Sequence, residues 1–221
     1  MKRSLTMKTI TPTPTPTTFF LPADDLRAAF QCISTEQIRY YLGGVLIADD
    51  KLVASDGHQM LTIELPDGCH VGTECFTQGM DAPEGAGFIL SCDATDKAFK
   101  AKASGSSDLW VYGDIETGIL QFVINHKEGG KMHRVGVLEF TRIDGTYPEW
   151  RRVMAKGAGG AASLCYDPAV LARLVKAADV IDKGKGIRLT GGEGAGDPIR
   201  VDFVASPRLR GTLMPTRWMG A

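Results

Sequence analysis

A chain of 221 residues with 43% apolar residues can bury the core of one large domain or two small ones, and its formal net charge of -1 gives no global attraction for nucleic acid or an anionic membrane. Five cysteines, odd in number and without a CxxC pair, read as small buried hydrophobes in a reducing compartment and exclude a disulfide framework. No apolar run is long enough to cross a bilayer, and the basic start MKRSLTMKTI has no hydrophobic stretch behind it, so the reading is cytoplasmic with no membrane partner.

In chain order, TPTPTPTT (11–18) comes first. Its alternating prolines remove backbone donors and favour extended polyproline II, so 1–18 is expected to be a disordered Thr/Pro-rich arm. FFLPADDLRAAFQCI then predicts a short strand, a helix opening at Pro22 and Asp24, and an apolar face of Leu26, Ala29 and Phe30. Strands are predicted over 42–48, 52–54 and 60–65. GFILSCDATDKAFKAK repeats the plan with a strand at 88–90, capping candidates Ser91 and Asp93, and a helix carrying Ala94, Ala98 and Phe99. Strands at 109–112, 119–124 and 135–141 follow it. SLCYDPAVLARLVKAADVI repeats it again, with Asp167 as N-cap, Pro168 at the first helical position, and Val170, Leu171, Leu174, Val175 and Ala178 on one face. Its strands fall at 187–190, 199–203 and 212–214. Leu21, Leu90 and Cys165 hold matching places, so the fold class is α+β: three β-α-β-β-β units, each sheet covered on one face by its helix.

Asp56-Gly57-His58 invites an acid–base reading, yet no nucleophile or second carboxylate is placed to work with it. Asp-Gly is a natural hairpin turn, so the triplet reads as a turn and the chain as no enzyme. Cys69, His70 and Cys75 lack a fourth ligand at finger spacing, so no metal or other cofactor is expected. GGEGAG (191–196) lies between strands and carries no lysine, so it reads as a hairpin loop. For DNA contact, the second helix offers Lys97, Lys100 and Lys102, and the third offers Arg173 and Lys176. Binding through so few cations is weak, non-specific and salt-sensitive. The alternative is an ordinary solvated helix face.

Four separated pieces, IRYYLGGVLI (38–47), LVASDGHQM (52–60), IDGTYPEWRRVM (143–154) and LMPTRW (213–218), occur in the order and at the spacing of one family. With them the chain resembles the bacterial sliding clamp, the β subunit of DNA polymerase III. Residues 19–155 resemble its middle domain, and 156–221 the second half of its last domain. The resemblance implies a pocket for clamp-motif peptides of polymerases, loader and repair proteins. On one side it would be lined by Leu42, Ser55, Gly57, His58, Gln59 and Met60. Pro148, Arg152 and Val153 would continue it, and Thr212, Leu213, Met214, Pro215, Thr216, Arg217 and Trp218 would close it. It also implies that Arg39, Tyr40 and Tyr41 approach double-stranded DNA. The family has a basic residue and leucine where this chain has Gln59 and Met60, and a terminal leucine near Trp218, so the pocket's volume and polarity differ. A family ring of twelve units would need four such chains head to tail, encircling DNA as a processivity factor in replication or repair. The alternative is a monomeric adaptor or decoy that keeps the pocket and competes with a host clamp. A phage or mobile-element origin would account for the shortened form.

Overall fold

The computed structural model describes residues 18–48, 50–72, 87–100, 107–126, 132–154, 166–181, 186–191 and 196–216. Strand β1 (Thr18–Pro22) leads into helix α1 (Ala23–Ala29), followed by β2 (Val45–Ala48), β3 (Lys51–Ser55), β4 (Gln59–Glu64) and β5 (His70–Gly72). Next come β6 (Gly87–Cys92), a short 3-10 turn at Lys97–Lys100, β7 (Ser107–Asp114), β8 (Ile119–His126) and the long β9 (Met132–Ile143). Helix α2 (Pro168–Ile181) and strands β10 (Ile187–Thr190), β11 (Ile199–Phe203) and β12 (Leu209–Leu213) complete the order. No helix among the described residues is long and apolar enough to cross a membrane.

Among the described residues the strands join edge to edge in the order β10-β11-β12-β4-β3-β2-β6-β9-β8-β7-β1-β5, twelve in all. Every pairing is antiparallel. Helices α1 and α2 pack against each other over one face. Leu26, Ala28 and Ala29 of the first and Leu174 and Ala177 of the second are buried there with Leu21, Ile47, Leu61 and Val201. Alternate residues of the same strands, Leu46, Val53, Met60 and Ile89, turn to the opposite face and meet Trp150 in a smaller cluster. Strands β2 to β4 are therefore covered on both faces, which is why VLIA and LVA read as continuous apolar runs. Phe19 anchors the larger core, its ring 5.4 Å from Phe88 and 6.0 Å from Phe140. Its cross-strand partner is Gly113, where a Cβ would stand 2.0 Å from the Phe19 ring, so only glycine admits the aromatic.

Three expectations need correction. The second helix is reduced, among the described residues, to the 3-10 turn at Lys97–Lys100. Asp93 accepts from the Thr95 amide (2.9 Å) and hydroxyl (2.6 Å), and Asp96 accepts from the Ala98 amide (2.7 Å). Such side-chain bonds offer the backbone an alternative to helix. Tyr40–Leu42 form a 3-10 turn and the strand begins only at Val45. On α2 it is Ala177, not Val175, that is buried, Val175 being 36% exposed. The strand expected around Cys165 lies outside the described residues. Asp167 caps α2 as its sequence foretells, its carboxylate accepting from the Ala169 amide at 2.8 Å.

The third stretch of chain, 166–216, is fastened to the first by three devices. Strands β12 and β4 share a ladder from Leu209↔Ile63 to Leu213↔Gln59. Asp25 of α1 takes a bidentate pair from Arg208 in the β11–β12 connection, both contacts at 2.6 Å. Reciprocally, Arg173 of α2 reaches Asp56 in the β3–β4 turn, also at 2.6 Å. The Asp25 side chain is 1% exposed. Burial pushes its carboxyl up, and the Arg208 guanidinium opposes that shift. Removing one partner strands a buried charge, so Arg208→Met is expected to lower stability by about 3–5 kcal/mol in urea denaturation. The double variant Asp25→Leu/Arg208→Met should recover most of the loss, because no unpaired charge then remains.

Candidate functional site

The turn Asp56-Gly57-His58 between β3 and β4 organises the site. The first carboxylate oxygen of Asp56 accepts from the backbone amides of His58 (2.8 Å) and Gln59 (2.9 Å). Ser55 Oγ accepts from the Gly57 amide at 3.1 Å and donates to the Gln59 carbonyl at 2.7 Å. The second Asp56 oxygen holds Arg173 Nη1 at 2.6 Å. Arg173 is further spent on the carbonyls of Gln31 (Nε, 3.0 Å) and Ile33 (Nη2). The Gln59 amide, with its nitrogen set toward the Val170 carbonyl (2.7 Å), accepts from Arg173 Nε at 3.2 Å. Gln59 is 2% exposed, so a polar residue at this place is satisfied beneath α2. The Asp56 carboxylate contacts the backbone amide of His58 and is directed to Arg173, so no Asp–His dyad is assembled here.

Above this turn lies a cavity of about 220 Å³. Its walls come from four places: Leu42; Ser55, Gly57, His58, Gln59 and Met60; Pro148 and Val153 with Tyr147 and Trp150; and Thr212 with Met214. The amide of Met214 donates to the His58 carbonyl at 2.9 Å, carrying the β4–β12 ladder one step beyond β12. Val153 and Met214 are 53% and 41% exposed, so the rim offers apolar surface to solvent.

Ten of the expected pocket residues are thus brought together. Leu213 is not among them: alternation along β12 turns it into the main core while Thr212 and Met214 face the cavity. Arg152, Pro215 and Thr216 do not line it, and Arg217 and Trp218 lie outside the described residues. Sequence reasoning missed Tyr147 and Trp150. Their signal was the pair of aromatics framing Pro148 in TYPEW, since large aromatics beside a proline turn seldom stay solvated. Burial pushes the Tyr147 hydroxyl's pKa up.

The residues singled out for DNA divide. Arg173 is committed within the protein, as above. Lys97, Lys100 and Lys176 are exposed, and Tyr40 is 55% exposed. Tyr41 packs beside the Trp150 cluster and edge-on to Tyr40 at 5.7 Å. Arg39 lies over the turn, 3.8 Å from Glu36 and donating to the Asp56 carbonyl at 3.5 Å. Lys102 is outside the described residues. Burial raises the Cys69 thiol to about 12, and no cluster of three or more metal-ligating side chains occurs among the described residues. Cys75 of the weighed metal set and most of GGEGAG are not described.

Gly57 has φ +91°, a conformation costly for any other residue. Gly57→Ala is expected to cost about 1–3 kcal/mol in thermal or urea unfolding. A Cβ there would also stand 2.0 Å from Arg39 Nη1, the far end of a flexible side chain. The same cost in an Arg39→Ala background would identify the backbone angle, not the contact, as its cause.

No family model matches the sequence, and no curated protein matches it. Solved structures do. The DnaN sliding clamp (DNA polymerase III subunit beta) of Bartonella birtlesii bound to griselimycin is 17% identical, with a TM-score of 0.54 over 96% of this chain and 69% of that one. The DNA polymerase III β subunit of Thermotoga maritima is 12% identical, with a TM-score of 0.53 over 96% and 68%. DNA polymerase III subunit beta of Borrelia burgdorferi, in complex with a natural product, is 12% identical, with a TM-score of 0.54 over 96% and 67%. Over nearly all of its length this chain has the fold of the bacterial sliding clamps, the β subunits of DNA polymerase III.

Proposed function

We propose that the protein is a non-enzymatic, sliding-clamp-like factor of DNA replication or repair whose cavity receives short linear peptides of polymerases, loaders or repair proteins. The observation that carries the reading is the cavity itself. Four separate stretches converge on an apolar concavity with a soft methionine rim, a surface suited to aliphatic or aromatic peptide anchors. Proteins of this fold take ligands: the Bartonella clamp is bound to griselimycin and the Borrelia protein to a natural product. In this reading 19–155 act as one clamp domain and 156–221 as a half domain that closes the pocket.

The test is fluorescence anisotropy with a labelled clamp-motif peptide. Met214→Ala removes an exposed apolar wall without touching the core, and His58→Ala removes a rim side chain. Each is expected to weaken binding about 5–30-fold, the equivalent of roughly 1–2 kcal/mol of lost burial. Unchanged affinity in both variants would sink the pocket assignment.

Encirclement of DNA is the fuller version of this reading, and the adaptor or decoy is its rival. The commitment of Arg173 to Asp56 favours the rival, since it takes one cation away from the helical face. The readings part on retention: a ring stays on a closed DNA circle and runs off once the circle is cut, whereas an adaptor is retained on neither. On either reading Lys176→Ala should leave stability within about 0.5 kcal/mol, as a solvated surface change does. Arg173→Ala should cost about 3 kcal/mol, because Asp56 loses its partner.

A further inference from the structure

The cavity is not the end of the surface it belongs to. Thr212 of β12 is one of its walls, and from Thr212 the same face of the sheet continues across β11 and β10. Residues paired across strands share a face. Thr212 is paired with Arg200 of β11, and Arg200 with Thr190 of β10. The next row, two residues along each strand, runs Thr62, Arg210, Asp202, Arg188. The intervening residues Ile199, Val201, Phe203, Leu209 and Leu213 are buried in the main core. Alternation therefore turns Arg188, Arg200 and Arg210 to the face that carries the cavity.

In these rows three guanidinium groups share one carboxylate. Arg200 Nε donates to Asp202 Oδ1 at 2.6 Å, in a pair whose side chains are 35% and 27% exposed. Arg188 and Arg210 stand opposite the same Asp202 from the two flanking strands, and both are exposed. Three arginines against one aspartate leave a surplus of two positive charges beside the cavity, in a chain whose net charge is -1. Further along the same face, Glu64 of β4 is opposite Lys51 of β3 and adds no surplus of its own.

Neighbouring strands lie about 5 Å apart, so Arg200 is one strand spacing from the cavity wall and Arg188 two, about 10 Å away. An extended chain covers that distance in roughly three residues. We propose that this arginine face receives the segment flanking the apolar anchor of a cavity-bound peptide, and that the protein selects peptides whose flank carries Asp or Glu. Guanidinium groups suit this task, since each binds a carboxylate in a two-pronged, charge-assisted way. The face lies on the other side of the sheet from α1 and α2, whose cations are the ones a DNA contact would use, so its continuity is with the cavity and its partner is the peptide. The inference rests on the peptide-pocket reading and adds to it the chemistry of the preferred ligand.

The test is fluorescence anisotropy on the full chain with labelled clamp-motif peptides that share one anchor. Their flank is a run of Glu, Gln or Lys, placed before the anchor in one set and after it in another. In one of the two placements the Glu peptide is expected to bind about 5–20-fold tighter than the Gln peptide at low salt, with the Lys peptide weakest. The advantage should shrink to less than about 2-fold at 1 M salt, where exposed charges are screened. Arg188→Gln/Arg210→Gln should abolish it. Arg188→Glu/Arg210→Glu should turn the preference to the Lys peptide, an inversion that loss of folding cannot produce. Equal binding of the Glu and Gln peptides in both placements overturns the inference, as does a preference that survives the Gln variant. Duplex DNA that binds wild type and is lost in the Gln variant, without any peptide preference, overturns it in favour of a nucleic-acid face. Anchors that bind regardless of flank leave the pocket reading standing, whereas peptides that fail to bind with any flank sink both.

Discussion

The β4–β12 ladder is the constraint on which the rest of the molecule depends. It joins residues about 150 positions apart in sequence, through pairs such as Thr212↔Met60. Long-range pairing of this kind is entropically costly to close, and two buried or half-buried Arg–Asp pairs brace it from either side. Asp25 reaches from α1 to Arg208 and Arg173 from α2 to Asp56, so each helix is tied to the strand connection of the other stretch. Register follows from this. A slip of one residue would turn Thr212 and Met214 into the core and Leu213 toward the cavity, an exchange that burial forbids.

Asp56 is where fold and site meet. One oxygen is saturated by two backbone amides of its own turn and the other by Arg173. That arrangement makes it a structural anchor, and it explains two things at once. The histidine two residues later is presented to the cavity with no carboxylate partner for its ring among the described residues, and an arginine that reads as a DNA contact on the helix is held by Asp56 within the protein. The wall of the cavity is thereby fixed to α2, while Arg39 lies over the same turn from the side of the exposed Tyr40. Cations near the turn and apolar groups in the cavity share one support.

Exposed apolar residues are distributed with the same logic. Val153 and Met214 stand at the cavity rim, Val135 and Val137 on β9, and Leu189 on β10. Among the described residues the twelve-stranded sheet ends in strands paired on one side only, and edges with apolar side chains favour a partner over water. The identity of 12–17% to solved clamps, set against 96% coverage of this chain, indicates that the fold persists where side chains do not.

Much of this was legible in the sequence. Period-two alternation located nearly every strand, Asp167-Pro168 marked the start of α2, and the Asp-Gly turn announced its hairpin. These are local properties, set by φ/ψ preference, capping and the alternation of side chains. The helix expected after Cys92 failed because Asp93 and Asp96 bind nearby amides, a competition that apolar spacing does not register. What only the tertiary structure decided is the company each residue keeps. It turned Leu213 inward, brought Tyr147 and Trp150 to the cavity, and gave Arg173 to Asp56. The sequence by itself could determine most of the elements, because those follow from neighbours along the chain, whereas most of the cavity's wall was named through the family resemblance. Which charges are spent and which edges stay open depends on contacts between residues far apart in sequence, and only the folded arrangement holds that information.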